Sequence, residues 1–356
     1  MNNLKKIAAF YGEVNNPLLA PRGVYLHQHT LVVSDTGQNR VFIWYNFSFQ
    51  SHQQSDVVLG QKENNDTERN AGKMVSASSL QYPSGIWTND EKLIVADAWN
   101  HRVLIWHKMP SHNFQEADVV VGQMDFKSNQ TNAIGIGKAP TAQTLNWPYG
   151  VYSNGTALWI ADTGNRRVLY FSSIPTTNFA AADAVIGQET FADKDYDNNN
   201  AVWPYAVKLS NNGAIAIIDT QYYRVLLWNY WKDALTKTAD VILGQKNIND
   251  NGQNQYRLKP NANTLNWVYD ACFYKNGIAV ADTGNSRLII HHQIPTLHGA
   301  TADMQIGQPN FETHGETSLS MKTTFDNEIY WPFGINCFND ILVAADTGNH
   351  RILFYR

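Results

Sequence analysis

The chain has 356 residues, of which 43% are hydrophobic and only 16% charged, with a formal net charge of −4. Ordinary soluble domains carry about 25% charged residues; here 38 Asn, 11 Trp, 17 Tyr and 15 Phe fill the deficit. Disorder is excluded, because it needs low hydrophobicity and high net charge. A membrane span is excluded too, since no apolar run approaches the roughly 18 residues it requires. With 27 Lys and Arg against 31 acids, nucleic acid is not an expected partner, because phosphate-backbone binding calls for a basic surface.

At the N-terminus, Lys5 and Lys6 precede an apolar run of only residues 7–11, shorter than the roughly 7–15 residues of a signal-peptide core. No leader is read, so the cytoplasm is the default compartment; an extracytoplasmic one would follow from a removed leader. Cys272 and Cys337 do not amount to a disulfide framework, and a chain of this length can bury a core without one.

From there the chain repeats itself. Asp, four residues, then Arg recurs six times, at Asp35/Arg40, Asp97/Arg102, Asp162/Arg167, Asp219/Arg224, Asp282/Arg287 and Asp346/Arg351. The aspartates are spaced by 62, 65, 57, 63 and 64 residues. An apolar run precedes each Asp and a β-branched, aromatic run follows each Arg, the pattern of a hairpin. Gly60, Gly122, Gly187, Gly244 and Gly307 each fall 20 residues after their Arg and end a short apolar run, a further strand. Upstream of each hairpin another strand opens at Pro21-Arg22-Gly23, Pro83-Ser84-Gly85, Pro148-Tyr149-Gly150, Pro204-Tyr205-Ala206, Val268-Tyr269-Asp270 and Pro332-Phe333-Gly334. Four strands, a to d, in each of six repeats predict an all-β, six-bladed β-propeller. The expected blades are 17–61, 80–123, 145–188, 201–245, 265–308 and 329–356, one domain over 1–356. The sixth lacks a d strand, and residues 4–12 are expected to supply it by pairing with Ile352–Tyr355, leaving no open edge.

The run Asp346-Thr-Gly-Asn-His-Arg351 with its apolar strand resembles the NHL repeat. Gly122-Gln-Met-Asp-Phe126, Gly187-Gln-Glu-Thr-Phe191, Gly307-Gln-Pro-Asn-Phe311 and Ser79-Leu-Gln-Tyr-Pro83 are similar to the flanks of a large bacterial branch of that family, often extracytoplasmic. The resemblance covers essentially the whole chain. It implies the six-bladed fold and no single activity, because the scaffold hosts RNA binders, protein-interaction modules and a lyase. The related peptidyl-hydroxyglycine lyase holds zinc through histidines on its axis; the a-strand openings here carry none, which argues against that activity.

The repeated Asp/Arg pairs are expected to be structural, each carboxylate bonding across its turn and to the Arg. Gly37, Gly164, Gly284 and Gly348 are expected to supply a positive φ there, His101 and His350 to be turn residues, and Asp118 and Asp183 to cap hairpins. Function is expected where the blades differ, on the face that carries the roughly 15–24-residue d–a loops. Arg22, Tyr149, Tyr205, Tyr269 and Phe333 should meet at the channel mouth, where open rings would stack on a ligand. Trp99 and Tyr222 diverge in their turns and join that candidate set. Tyr82, Trp147, Trp203, Trp267 and Trp331 are expected to pack between blades. Asp270, where sister blades have Gly or Ala, reads either as a cation or ligand-amine site opposite Arg22 or as a solvated rim aspartate. Asp193, Asp195 and Asp197 have calcium-loop spacing, but Asn198 and Pro204 stand where such a loop needs Gly and Glu, so no cofactor is assigned. The two thiols are expected to be free and buried, too far apart to join, because stacked sheets lie about 10 Å from one another. The expected activity is non-catalytic capture of a protein, peptide or carbohydrate by a monomer. The alternatives are a lyase- or hydrolase-like site in the channel and, as a minor reading, RNA binding.

Overall fold

The middle strands of every repeat are apolar throughout rather than alternating, which suits strands covered on both faces. In the computed structural model, which describes residues 4–63, 65–197, 199–315 and 328–356, a neighbouring blade supplies each cover. Blade 2 is typical. Its strands a to d are Pro83–Thr88, Leu93–Asp97, Arg102–Trp106 and Val119–Val121, each antiparallel to the next. The a strands of blades 1, 3, 4 and 5 are Gly23–His27, Pro148–Ser153, Pro204–Leu209 and Val268–Tyr274, and each leads a sheet of the same order. Blade 6 contributes Pro332–Phe338, Ile341–Asp346 and Arg351–Tyr355. Its fourth strand is Lys6–Phe10, with Ala9 opposite Leu353 and Phe10 opposite Ile352. The chain is a six-bladed propeller of four-stranded blades whose last blade is closed by the N-terminal strand, as the repeat count predicts.

Each seam between blades holds one apolar cluster. Trp44, Trp106 and Trp228 end their c strands fully buried, each ring worth about 2–3 kcal/mol. Their indole N–H groups are not orphaned, because each donates to a carbonyl nine residues on, of Gln53, Gln115 and Lys237. Among the described residues no helix is long and apolar enough to cross a membrane.

Six buried ion pairs tie the upper loops to this frame. Arg102 Nε donates to Asp97 Oδ2 at 2.7 Å, Nη1 to the Phe126 carbonyl, and Nη2 to the carbonyls of Ser76 and Ser79. Arg167 and Arg287 repeat the set on Phe191, Thr141 and Thr144, and on Phe311, Asn261 and Thr264. The Phe of Gly-Gln-x-x-Phe therefore recurs where its carbonyl receives the buried guanidinium. The other oxygen of each Asp accepts the backbone N–H that leads into strand a, for example Gln81 to Asp97 and Asn146 to Asp162, both 2.7 Å. Burial pushes these carboxyls up, Asp35 to about 6, against the pull of the facing guanidinium and its hydrogen bonds. The d-strand aspartates cap as expected: Asp118 and Asp183 accept the N–H of His107 and Ser172.

The turn glycines have a different reason from the one their positions suggest. Positive φ falls instead on the residue just before each Arg: Asn39, His101, Arg166, Tyr223, Ser286 and His350, at 51–57°. At Gly37 and Gly164 the need is space, since a Cβ would lie 2.5 Å from the Leu19 carbonyl oxygen or the Asn146 amide nitrogen. The left-handed residues reach the next blade. Asn39 Oδ1 accepts the Tyr82 N–H, His101 Nδ1 that of Trp147, and His350 Nδ1 that of Ala20, all at 3.0–3.1 Å.

Candidate functional site

The a strands converge on the axis so closely that a Cβ on Gly23 would meet the Ser84 carbonyl at 2.0 Å, and one on Gly334 the Arg22 carbonyl at 2.2 Å. The residue before each glycine is thereby turned into the channel, and Arg22, Ser84, Tyr149, Tyr205, Tyr269 and Phe333 come together there. Their rings do not stand open. Tyr149 stacks on Tyr205 at 4.6 Å, Tyr205 meets Tyr269 edge-on at 4.6 Å, and Tyr269 stacks on Phe333 at 4.2 Å. Arg22 closes the girdle: its guanidinium lies 3.9 Å from the Phe333 ring centre and 4.9 Å from that of Tyr82, and Nη1 donates to the Tyr205 hydroxyl at 3.3 Å. Only about 30 Å³ remains between them, about room for one water. Burial pushes the Tyr149 and Tyr269 hydroxyls up to about 12, so they are neutral donors. The expectation of rings stacking on a ligand is corrected here, because they stack on one another.

Asp270 is not a rim residue facing Arg22. It lies buried on the channel wall, where Lys208 Nζ of blade 4 sits 3.2 Å from Oδ1. Oδ1 also accepts the Ala271 N–H, and Oδ2 the Ile335 N–H of blade 6. Burial pushes its carboxyl up while Lys208 and the two backbone donors pull it down. The cation it binds belongs to the chain, and the carboxylate knits three blades together.

Outside the girdle the upper face is aromatic and accessible. Trp147, Trp267 and Trp331 are 41–50% exposed: one side of Trp147 and Trp267 meets the preceding blade, at His101 and Tyr223, so the expected packing between blades is only partial. The backbone at these residues is left-handed, φ 45–52°. Trp99 is 46% exposed and lies flat on Tyr82, centroids 4.5 Å apart and planes at 10°. Its indole N–H donates to the Tyr149 hydroxyl at 3.3 Å and its backbone N–H to the Gln81 carbonyl. This pair forms one lip of a groove of about 820 Å³ between blades 1 and 2, with Asn39, Glu68, Arg69, Lys73 and Gln81 along its walls. Tyr222 does not join the girdle; it lies beside its own blade's Arg224, 5.0 Å from the guanidinium.

Asp193 and Asp197 are engaged by their own turns, accepting from Thr190 and from Asn199 and Asn200. Asp193, Asp195 and Asp197 all border one surface groove. Among the described residues no three His, Cys, Asp or Glu side chains are placed to hold one metal ion.

The sequence reading includes neither Lys208 nor a set of amide clasps, and it sets Tyr82 between blades rather than beneath Trp99. Asn70 and Asn100 exchange side-chain hydrogen bonds, as do Asn132 with Asn165 and Asn254 with Asn285. Gln61, Gln123 and Gln245 clamp the same loops through carbonyls seven residues on. A signal was available, since Asn70, Asn132 and Asn254 each stand ten residues after their d-strand glycine.

No protein-family model matches the chain, and no curated protein matches it in sequence. Solved structures do match its fold. It is similar to an auxiliary nutrient binding protein from Bacteroides thetaiotaomicron, at 12% identity and TM-score 0.57 over 99% of this chain and 76% of that one. The hydrazine synthase of Kuenenia stuttgartiensis matches at 10% identity and TM-score 0.48, over 95% and 76%. The designed protein Ika8 matches at 10% identity and TM-score 0.43, over 98% and 100%. The likeness to the nutrient binding protein supports the fold alone.

Proposed function

We propose that the chain is an NHL-type propeller that acts as a non-catalytic binding module, holding a carbohydrate on its upper face. The observation that carries this reading is the Trp99–Tyr82 pair, an accessible flat platform held rigid from below and set at the lip of an open polar groove. A sugar ring offers an apolar face to such a platform, and its hydroxyls suit walls that mix amide, carboxylate and cationic groups. The girdled mouth of the channel, the alternative seat of an enzyme, has space for about one water, and Asp270, the carboxylate that lines it, is already paired. The wall cations Arg69 and Lys73 stand beside Glu68, which disfavours a polyanion such as RNA. A propeller described as a nutrient binding protein shares the fold; the ligand class rests on the groove.

The test is calorimetric titration against a panel of soluble neutral and acidic oligosaccharides. A member that binds the wild type is expected to lose at least about tenfold in affinity on Trp99→Ala, equivalent to about 1.4 kcal/mol, with the melting temperature unchanged. Binding that survives Trp99→Ala and Tyr82→Ala refutes the site. A panel with no binder, alongside capture of an unstructured peptide, refutes the ligand class.

A further inference from the structure

The girdle and the Asp270–Lys208 pair leave one reactive feature of the channel unused. Cys272 lies in strand a of blade 5 and Cys337 in strand a of blade 6. Stacked sheets are too far apart for their cysteines to join, but these strands meet at the axis, where blades converge. Asp270 and Cys272 are two residues apart in a strand, so they share a side, and Asp270 reaches the Ile335 N–H of blade 6 at 3.0 Å. Cys272 therefore also faces blade 6. Asn336 points the other way, its Oδ1 accepting the Leu26 N–H of blade 1 at 2.9 Å, so Cys337 faces back toward blade 5. There its thiol donates to the Phe273 carbonyl at 2.6 Å. Cys272 belongs to the apolar cluster of this seam and Cys337 packs against it, and cross-blade bonds at 270–335 and 273–337 hold the strands on either side of them. Both line the lower mouth of the channel, a cavity of about 800 Å³ shared with Lys208, Tyr25 and Tyr152.

We propose that Cys272 and Cys337 form a modification site, a dithiol that closes to a disulfide across the seam of blades 5 and 6 by exchange with a low-molecular-weight disulfide entering through the lower mouth. The order of attack follows from the surroundings. Burial holds the Cys272 thiol well above its ordinary range, whereas the hydrogen bond from Cys272 and the charge of Lys208 favour the Cys337 thiolate. Cys337, its proton lost to water in the cavity, attacks one sulfur of the incoming disulfide and expels the other half as a thiolate. Cys272 then attacks the Cys337 sulfur, loses its own proton to water and expels the second half. Two protein thiols are oxidised to one disulfide, and one small disulfide is reduced to two thiols. The product ties blade 5 to the blade that the N-terminal strand completes, and it closes a loop of 64 intervening residues of the kind whose cross-linking stabilises a fold.

The experiment treats the folded full chain with oxidised glutathione and then counts thiols after denaturation. The expected result is a fall from two thiols to none, a mass lower by two hydrogen atoms, a cross-linked peptide joining positions 272 and 337, and recovery of both thiols with dithiothreitol. Cys272→Ser is expected to stop at a glutathione adduct on Cys337, and Cys337→Ser to slow the reaction at position 272 by at least about tenfold. Two thiols that survive prolonged exposure would overturn the proposal. So would a wild-type product that stops at the glutathione adduct, or a disulfide that joins two chains instead of two blades. Equal rates in the two single variants would overturn the assignment of Cys337 as the attacking thiol.

Discussion

Beneath the upper loops the molecule repeats one arrangement six times, while around the channel no blade copies all of its neighbour. The Asp/Arg pairs, such as Asp97 with Arg102 and Asp162 with Arg167, are buried with no exposed side-chain surface and bond within their own repeat. The channel residues bond across blades instead: Arg22 with Phe333 and Tyr205, and Lys208 with Asp270. Equivalent positions on a ring's axis face one another, so six identical charges would repel and six identical rings would overfill the space. Divergence at the axis is what packing a narrow closed ring demands, and it does not by itself mark a ligand site. The divergence that stays accessible, at Trp99, is the one that carries the binding reading.

Three perturbations probe this contrast, beginning with the ring itself. Removing residues 1–12 strips the outer strand from blade 6 and takes away Phe10, which is fully buried and edge-on to Trp44 and Phe47 at 4.9 and 5.0 Å. The melting temperature is expected to fall by more than about 10 °C, or the cooperative transition to vanish, because a closed ring acquires an edge. An unchanged melt in scanning calorimetry would show that closure contributes nothing. Next, Arg167→Met leaves Asp162 buried without its partner and frees the carbonyls of Phe191, Thr141 and Thr144. Urea unfolding is expected to register a loss of about 3–5 kcal/mol, similar to that of Arg102→Met in the sister blade. Smaller again, Tyr205→Ala opens the girdle at its centre and is expected to cost about 2–4 kcal/mol, against less than about 0.5 for the accessible Trp99→Ala. Equal costs at positions 205 and 99 would erase the distinction between self-packed and accessible rings.

The fold was legible because it is written six times: the spacing of Asp, Arg, Gly and Pro gives four strands per blade, and a missing d strand with an orphan one in front gives closure. The site was legible only in part. That Arg22, Tyr149, Tyr205, Tyr269 and Phe333 converge follows from their shared place in the repeat. That they stack on one another depends on how tightly the ring closes, which no single blade records. Lys208 escaped notice for the same reason, since its partner Asp270 lies 62 residues away in the next blade and meets it only on the axis. The thiols are free, as expected, Cys272 buried and Cys337 partly so; what the spacing of parallel-faced sheets does not convey is that their two strands converge at the axis. Residue type points to positive φ at the turn glycines, whereas the backbone places it on His101 and its counterparts and uses glycine for clearance.

His101 offers the finest test of the repeated layer, because it titrates where its counterpart in blade 1 does not. Its Nδ1 accepts the Trp147 N–H at 3.1 Å, Nε2 lies 3.3 Å from the Thr131 hydroxyl, and its ring stacks on Trp147. Burial lowers its pKa from 6.5 to about 4, with the Asn146 side chain opposing the shift. Protonation would set an N–H donor against the Trp147 N–H. Between pH 6.5 and 4 the unfolded chain therefore binds more protons than the folded one at this site, so stability falls as pH falls through that window and is fully restored above it. The expected contribution is on the order of 2 kcal/mol. Asn39 makes the equivalent bond to the Tyr82 N–H from the same left-handed backbone, at 3.0 Å. His101→Asn is accordingly expected to keep the bond and the stability at pH 7.5 to within about 1 kcal/mol while removing this share of the acid slope. Urea midpoints measured every half unit of pH on both proteins decide it: parallel curves would place the acid sensitivity elsewhere, and curves that separate only below pH 6.5 would assign it to the contact between His101 and the next blade.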